Sequence, residues 1–80
     1  MTLLEAPRNK ALKIIDLVGG EGFRRRLFSM GFHKGDIVEL DSQAIFQGPL
    51  LIWNVTSDTK VALGRGIAQK ILVESVDESK

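Results

Sequence analysis

One stretch of this chain carries the period of a helix, and the runs around it carry the period of strands. Phe23, Leu27 and Met30 recur four and then three residues apart, which stacks them on a single stripe of a helix. Gly31 follows at the position where helices commonly end in a left-handed turn, and Phe32 is the apolar residue that often closes such a cap. The spacing therefore predicts a short helix over residues 22–30 with a well-marked end.

The other apolar runs are shorter than helices need and lie between turn formers. They predict strands over Ala11–Val18, Ile37–Gln43, Leu50–Val55, Lys60–Leu63 and Ile71–Val76. In the first of these, alternation puts Leu12, Ile14 and Asp16 on one face and Ile15 and Leu17 on the other. Gly19-Gly20-Glu21-Gly22 breaks that strand, His33-Lys34-Gly35-Asp36 is turn chemistry, and Thr56–Thr59 makes a tight turn. Ala44–Pro49 is a longer connection, and Gly64–Lys70 turns through one helical loop. Leu50, Leu51, Ile52, Val55, Val61, Leu63, Ile71 and Val73 are expected in the core, with Trp53 among them. Five short strands with one helix after the first predict a mainly β domain, either a small barrel or a strongly bent sheet. A barrel would also dispose of sheet edges.

Size and composition narrow the functions. Eighty residues make one domain, which buries only about 60% of its unfolded surface and has little room for a deep cleft. The domain is expected to span residues 1–80, with its core over about 11–76 and a frayed polar tail at 75–80. There is no cysteine, which excludes disulfides, thiolate nucleophiles and cysteine metal sites, and favours a cytoplasmic location. No segment reaches the roughly 18 apolar residues that span a bilayer, and the start lacks the basic-then-apolar order of a signal peptide. The chain is expected to stay in the cytoplasm and not to insert in a membrane. Eleven basic and ten acidic side chains leave a charge of +1, without the basic excess of a dedicated nucleic-acid binder.

Four stretches in series resemble one family: Arg24-Arg25-Arg26-Leu27-Phe28-Ser29-Met30-Gly31-Phe32, Lys34-Gly35-Asp36, Phe46-Gln47-Gly48-Pro49-Leu50, and Lys60-Val61-Ala62-Leu63-Gly64-Arg65 with Ala68, Lys70, Ile71 and Val73 behind it. In this order and spacing the chain is similar to the ferrous iron transport protein A (FeoA) family, over roughly residues 12–74. The resemblance implies a small SH3-like five-stranded barrel with one short helix after the first strand. It also implies an accessory role beside the membrane ferrous iron permease FeoB, whose cytosolic part is a GTPase. Gly64 and Gly66 flank Arg65 where the family more often has a charged helical run, and Met1–Lys10 carries nothing diagnostic.

The residues supply little else. Metal ligation would rest on the lone His33 and on Asp36 three residues later, a set too poor in imidazole and thiolate for tight iron or zinc binding. These two are weak candidates for a divalent ion such as Fe2+, and no cofactor is required. No nucleophile–base pair is legible and the only adjacent carboxylates are Asp77-Glu78, so the chain is not expected to be an enzyme. Gly64-Arg65-Gly66 lacks the third glycine of a dinucleotide fingerprint, and Gly19–Gly22 lacks a Lys-Ser/Thr partner. Both glycine runs are read as turns needing positive φ.

The helix is more informative. Phe28 points away from the Phe23 stripe, between the directions of Arg24 and Arg25. Either it is buried against the loop at Phe46, or it is an aromatic anchor flanked by arginines, the composition that interface hot spots favour. Phe46, Pro49 and Trp53 form a second candidate, an aromatic surface of the kind with which SH3 domains hold peptides. Arg24, Arg25, Phe28, Phe46 and Pro49 are thus the candidate partner-binding residues. The expected partner is a FeoB-type permease, through its cytosolic GTPase region or its membrane part; a homodimer is a further option. Two alternatives stand beside the adaptor: a metal-sensing module bridged through His33 and nearby acids, and a nucleic-acid-binding small barrel built on Arg24-Arg25-Arg26, although nucleic acid is not the expected partner.

Overall fold

The apolar alternation becomes five strands, β1 (Leu12–Leu17), β2 (Ile37–Leu40), β3 (Leu50–Asn54), β4 (Thr59–Leu63) and β5 (Ile71–Ser75). The helix α1 (Glu21–Ser29) follows β1, and a single-turn helix α2 (Arg65–Ala68) precedes β5. The structure, a computed structural model, describes residues 1–41 and 48–76. The strands form one antiparallel sheet in the order β4-β3-β2-β1-β5. This is the mainly β class expected, with the helix in its expected place. Among the described residues no ladder joins β4 to β5, so the sheet is bent but not closed by hydrogen bonds.

The free edge of β5 is covered by the N-terminus. Thr2 bridges to Leu72, and the Val73 N–H donates to the Met1 carbonyl at 2.8 Å. Leu3–Glu5 then form a 3-10 turn closed by a reciprocal cap between Thr2 and Glu5, and Leu3 and Ala6 join the core. The core therefore begins well before residue 11. The signal lay in Thr2-x-x-Glu5, a capping pair that satisfies two orphan backbone donors.

A bulge corrects the faces of β1. The β1–β5 register runs Ile14↔Val73 and then Asp16↔Leu72, leaving Ile15 as an extra residue. One extra residue restores the inward direction two positions later. Leu17 is consequently buried with Leu12 and Ile14, while Ile15 is exposed.

In β3 the alternation is regular, with Leu50, Ile52 and Asn54 buried and Leu51 and Trp53 between them half-buried. Trp53 is thus on the outer face rather than in the core, where its Nε1–H donates to Asp58 Oδ1 at 3.2 Å. Val55 and Val61 are likewise half-buried, and Leu51 and Val61 pack against the core from its margin.

α1 ends as its sequence predicts. Gly31 takes φ +96, its N–H donates to the Phe28 carbonyl, and the Phe32 N–H donates to the Leu27 carbonyl, both at 3.0 Å. This double closure satisfies the last carbonyls and drops Phe32 into the core beside Leu27. The other glycine runs differ from expectation. Gly20 and Gly64 sit at the N-caps of α1 and α2 with φ −72 and −65, ordinary extended backbone that needs no glycine. Positive φ belongs instead to Gly31 and Gly35.

Candidate functional site

Two arrangements grow from the end of α1, one internal and one open. The internal one is organised by Asp36. The Asp36 N–H closes a turn on the His33 carbonyl at 3.0 Å, and Gly35 inside it takes φ +93, the backbone that a type II turn demands of its third residue. The Asp36 carboxylate then accepts from the His33 N–H at 2.9 Å and from Asn54 Nδ2 at 3.0 Å, with His33 Nδ1 3.2 Å away. All three contacts fall on the same oxygen, Oδ2. Asn54, itself fully buried, also donates to the Gly31 carbonyl at 2.9 Å and accepts from the Ser57 N–H at 3.2 Å. Asn54 and Asp36 are the buried polar side chains among the described residues. Each is satisfied, so the network locks the helix end to β3 rather than storing an unmade bond.

The weak metal candidates His33 and Asp36 are therefore brought together, but as parts of this lock. Among the described residues no group of three or more His, Asp or Glu side chains stands where it could hold a metal ion. Glu39 and Asp41 alternate along one face of β2 and beyond it, away from its buried residues.

The open arrangement is a groove of about 420 Å³ lined by Leu17, Arg24, Phe28, Phe32, His33 and Lys34. Phe28 is 64% exposed, so it is not buried under a loop. It is nevertheless fixed in direction, because its ring meets the His33 ring edge-on at 4.4 Å between centroids and 88° between planes, a geometry that aromatic pairs favour. Arg24 is positioned by two bonds, Nε to the Leu17 carbonyl at 3.1 Å and Nη2 to Asp16 Oδ1 at 3.2 Å. Lys34 Nζ approaches the same carboxylate oxygen at 3.9 Å. Leu17, two residues after the β1 bulge, lines this groove, and its carbonyl holds Arg24.

The sequence candidates divide accordingly. Arg24 and Phe28 line the groove. Arg25 lies outside it, exposed and paired with Glu21 one helical turn earlier at 3.1 Å. Pro49 is exposed just before β3 and does not line the groove. Phe46 lies outside the described residues. Leu17, Phe32 and Lys34 are groove residues that sequence reasoning missed as such. For Phe32 and Lys34 the signal was the cap at Gly31, which folds Phe32–Lys34 back beside the outward face of α1.

Comparison with known proteins gives these features a family. Residues 1–75 match the FeoA domain family. No curated protein matches the chain. Among solved structures, the solution structure of a FeoA-like protein from Clostridium acetobutylicum superposes with a TM-score of 0.81 at 24% identity, covering 100% of this chain and 91% of that one. Iron(II) transport protein A from Clostridium thermocellum gives 0.83 at 24% identity, covering 95% of this chain and 46% of that one. Stenotrophomonas maltophilia FeoA in complex with zinc, described as a prokaryotic SH3 domain protein, gives 0.75 at 27% identity, covering 92% of this chain and 89% of that one. The two clostridial likenesses are likenesses of fold, and the SH3 description printed for the Stenotrophomonas protein agrees with the five-stranded antiparallel sheet found here.

Proposed function

The chain belongs to the FeoA family, and from that premise we propose that it is an accessory protein of ferrous iron uptake which docks on a FeoB-type GTPase-coupled permease. Docking on the permease's cytosolic portion would bias its conformation or its nucleotide cycle. Such an effect requires that the domain bind two states of the permease with different affinity. An apolar lining, two cations and an aromatic ring held outward support a binding role.

The observation that carries this reading is Phe28. Phe28 leaves most of its surface in water and, with Leu17 and Phe32, lines one apolar groove, a contiguous patch rather than a lone exposed side chain. Aromatic side chains beside arginine are where interface energy concentrates, and His33 holds this one ready without the entropic cost of ordering it on contact. Arg25 extends the same helix surface beyond the groove, and the segment carrying Phe46 and Pro49 is a second contact region in this proposal. A metal-sensing role through His33 and Asp36 is less well supported, because the Asp36 oxygen nearest His33 already accepts two other hydrogen bonds.

The test is calorimetric titration of the chain with the cytosolic GTPase region of its permease. Phe28→Ala combined with Arg25→Glu is expected to abolish measurable binding while the thermal transition is retained. Unchanged binding by this folded double variant contradicts the proposal.

A further inference from the structure

We infer that the groove beneath Phe28 seats a short acidic peptide segment carrying one large apolar side chain. The inference rests on the docking role proposed above and adds the chemistry of what is docked. The apolar lining, from Leu17, Phe28 and Phe32, offers hydrocarbon and aromatic surface in a space of about 420 Å³, enough for a leucine- or phenylalanine-sized side chain with its backbone. The rim supplies the charge. Arg24 and Lys34 are cationic, and among the described residues no acidic side chain lines the groove.

The neighbouring carboxylate does not neutralise this rim. Asp16 is shared by both cations through the single oxygen Oδ1, at 3.2 Å from Arg24 and 3.9 Å from Lys34, so two positive charges face one negative. Arg24 spends its Nε and Nη2 donors on the Leu17 carbonyl and on Asp16. A guanidinium carries five N–H donors, and those on Nη1 remain for an incoming carboxylate. These same two bonds hold the guanidinium in place, so a carboxylate would meet a preorganised donor.

A nucleic-acid backbone fits less well. It needs successive cations along a track and open aromatic faces for stacking. Here the two cations flank a carboxylate, and the edge of the Phe28–His33 pair is already made.

The experiment is chemical-shift titration of the isotope-labelled full chain with three short synthetic peptides. One has a central leucine flanked by glutamates, one has the glutamates replaced by lysines, and one keeps the glutamates with alanine at the centre. The acidic leucine peptide is expected to move the signals of Leu17, Arg24, Phe28, His33 and Lys34, with an affinity that falls as salt rises. The other two peptides should bind about tenfold more weakly or worse, a difference the titration resolves readily. Lys34→Glu, an exposed substitution, should weaken the acidic peptide by a similar factor and improve the lysine peptide. Equal binding of the three peptides, shifts centred away from the groove, or tighter binding of a single-stranded oligonucleotide in the same groove each overturn the inference. If the permease's GTPase region binds while the acidic peptide does not, the inference falls and the docking role stands. If the peptide binds in the groove while the permease region fails to bind, the docking role falls and the chemistry of the groove stands.

Discussion

Phe28 and Phe32 are the same side chain four positions apart, and the fold uses them in opposite ways. Phe32 is 1% exposed and closes the end of α1 onto the core, whereas Phe28 is 64% exposed and stands over a groove. Side chains four apart on a continuous helix would share a face. The turn at Gly31 separates them, because its positive φ reverses the chain after Met30 and sends Phe32 inward. The lesson extends to the two carboxylates nearby. Asp36 is buried and spends its inner oxygen on three contacts that build the scaffold, while Asp16 is half-exposed and positions two cations at a surface. Residue type does not distinguish scaffold from site here; burial does, since each carboxylate has three partners on one oxygen.

The comparison is sharpened by substitutions on the scaffold side. Phe32→Ala empties the point where helix, turn and sheet meet and should cost about 3–5 kcal/mol, which is most of the stability a domain of this size commands. Denaturant titration should show a largely unfolded population at room temperature, and a well-folded variant would mean that the cap does not anchor the core. Asn54→Ala removes a donor to both Gly31 and Asp36 and leaves those acceptors short of a partner inside the molecule, at a cost of about 2 kcal/mol. Hydrogen exchange in that variant should quicken around Gly31–Ile37 before it does in β4. Gly31→Ala forces a side chain into the left-handed region and should cost about 1 kcal/mol, seen as a small loss in thermal midpoint with the groove preserved. Equal effects on peptide binding from all three would break the division into scaffold and site.

Much of this was legible in the sequence, and the exceptions share a cause. The α1 stripe, its glycine stop and the five strands follow from local periodicity, since each signal lies within a few residues of the element it defines. Leu17 was assigned to the wrong face because a bulge adds one residue to β1 and leaves no mark in an alternating apolar pattern. Trp53 was placed in the core with its strand neighbours Leu50 and Ile52, although its position between the inward Ile52 and Asn54 sets it on the outer face. Leu3 and Ala6 were overlooked because a three-residue turn offers too few apolar positions to show a period, while its capping pair was present. The groove was half legible. Arg24 and Phe28 emerge from helical geometry, but Lys34 joins them only after the chain reverses at Gly31, and Arg25 is drawn away by Glu21. The membership of the FeoA family, carried by motifs spread along the chain, was legible as a whole because family resemblance does not depend on knowing which side chains touch.

No helix among the described residues is long and apolar enough to cross a membrane, and docking to another protein is the role proposed for the surface around α1. The most direct test of that claim is chemical-shift mapping of the wild-type chain and of Phe28→Ala against the permease's cytosolic GTPase region. Removing an exposed ring should change folding stability by no more than about 0.5 kcal/mol, so the variant isolates binding from folding. The account predicts wild-type shifts concentrated on Leu17, Arg24, Phe28, His33 and Lys34, and their disappearance in the variant at unchanged thermal midpoint. Shifts centred on another face, or a variant that binds as the wild type does, would contradict it.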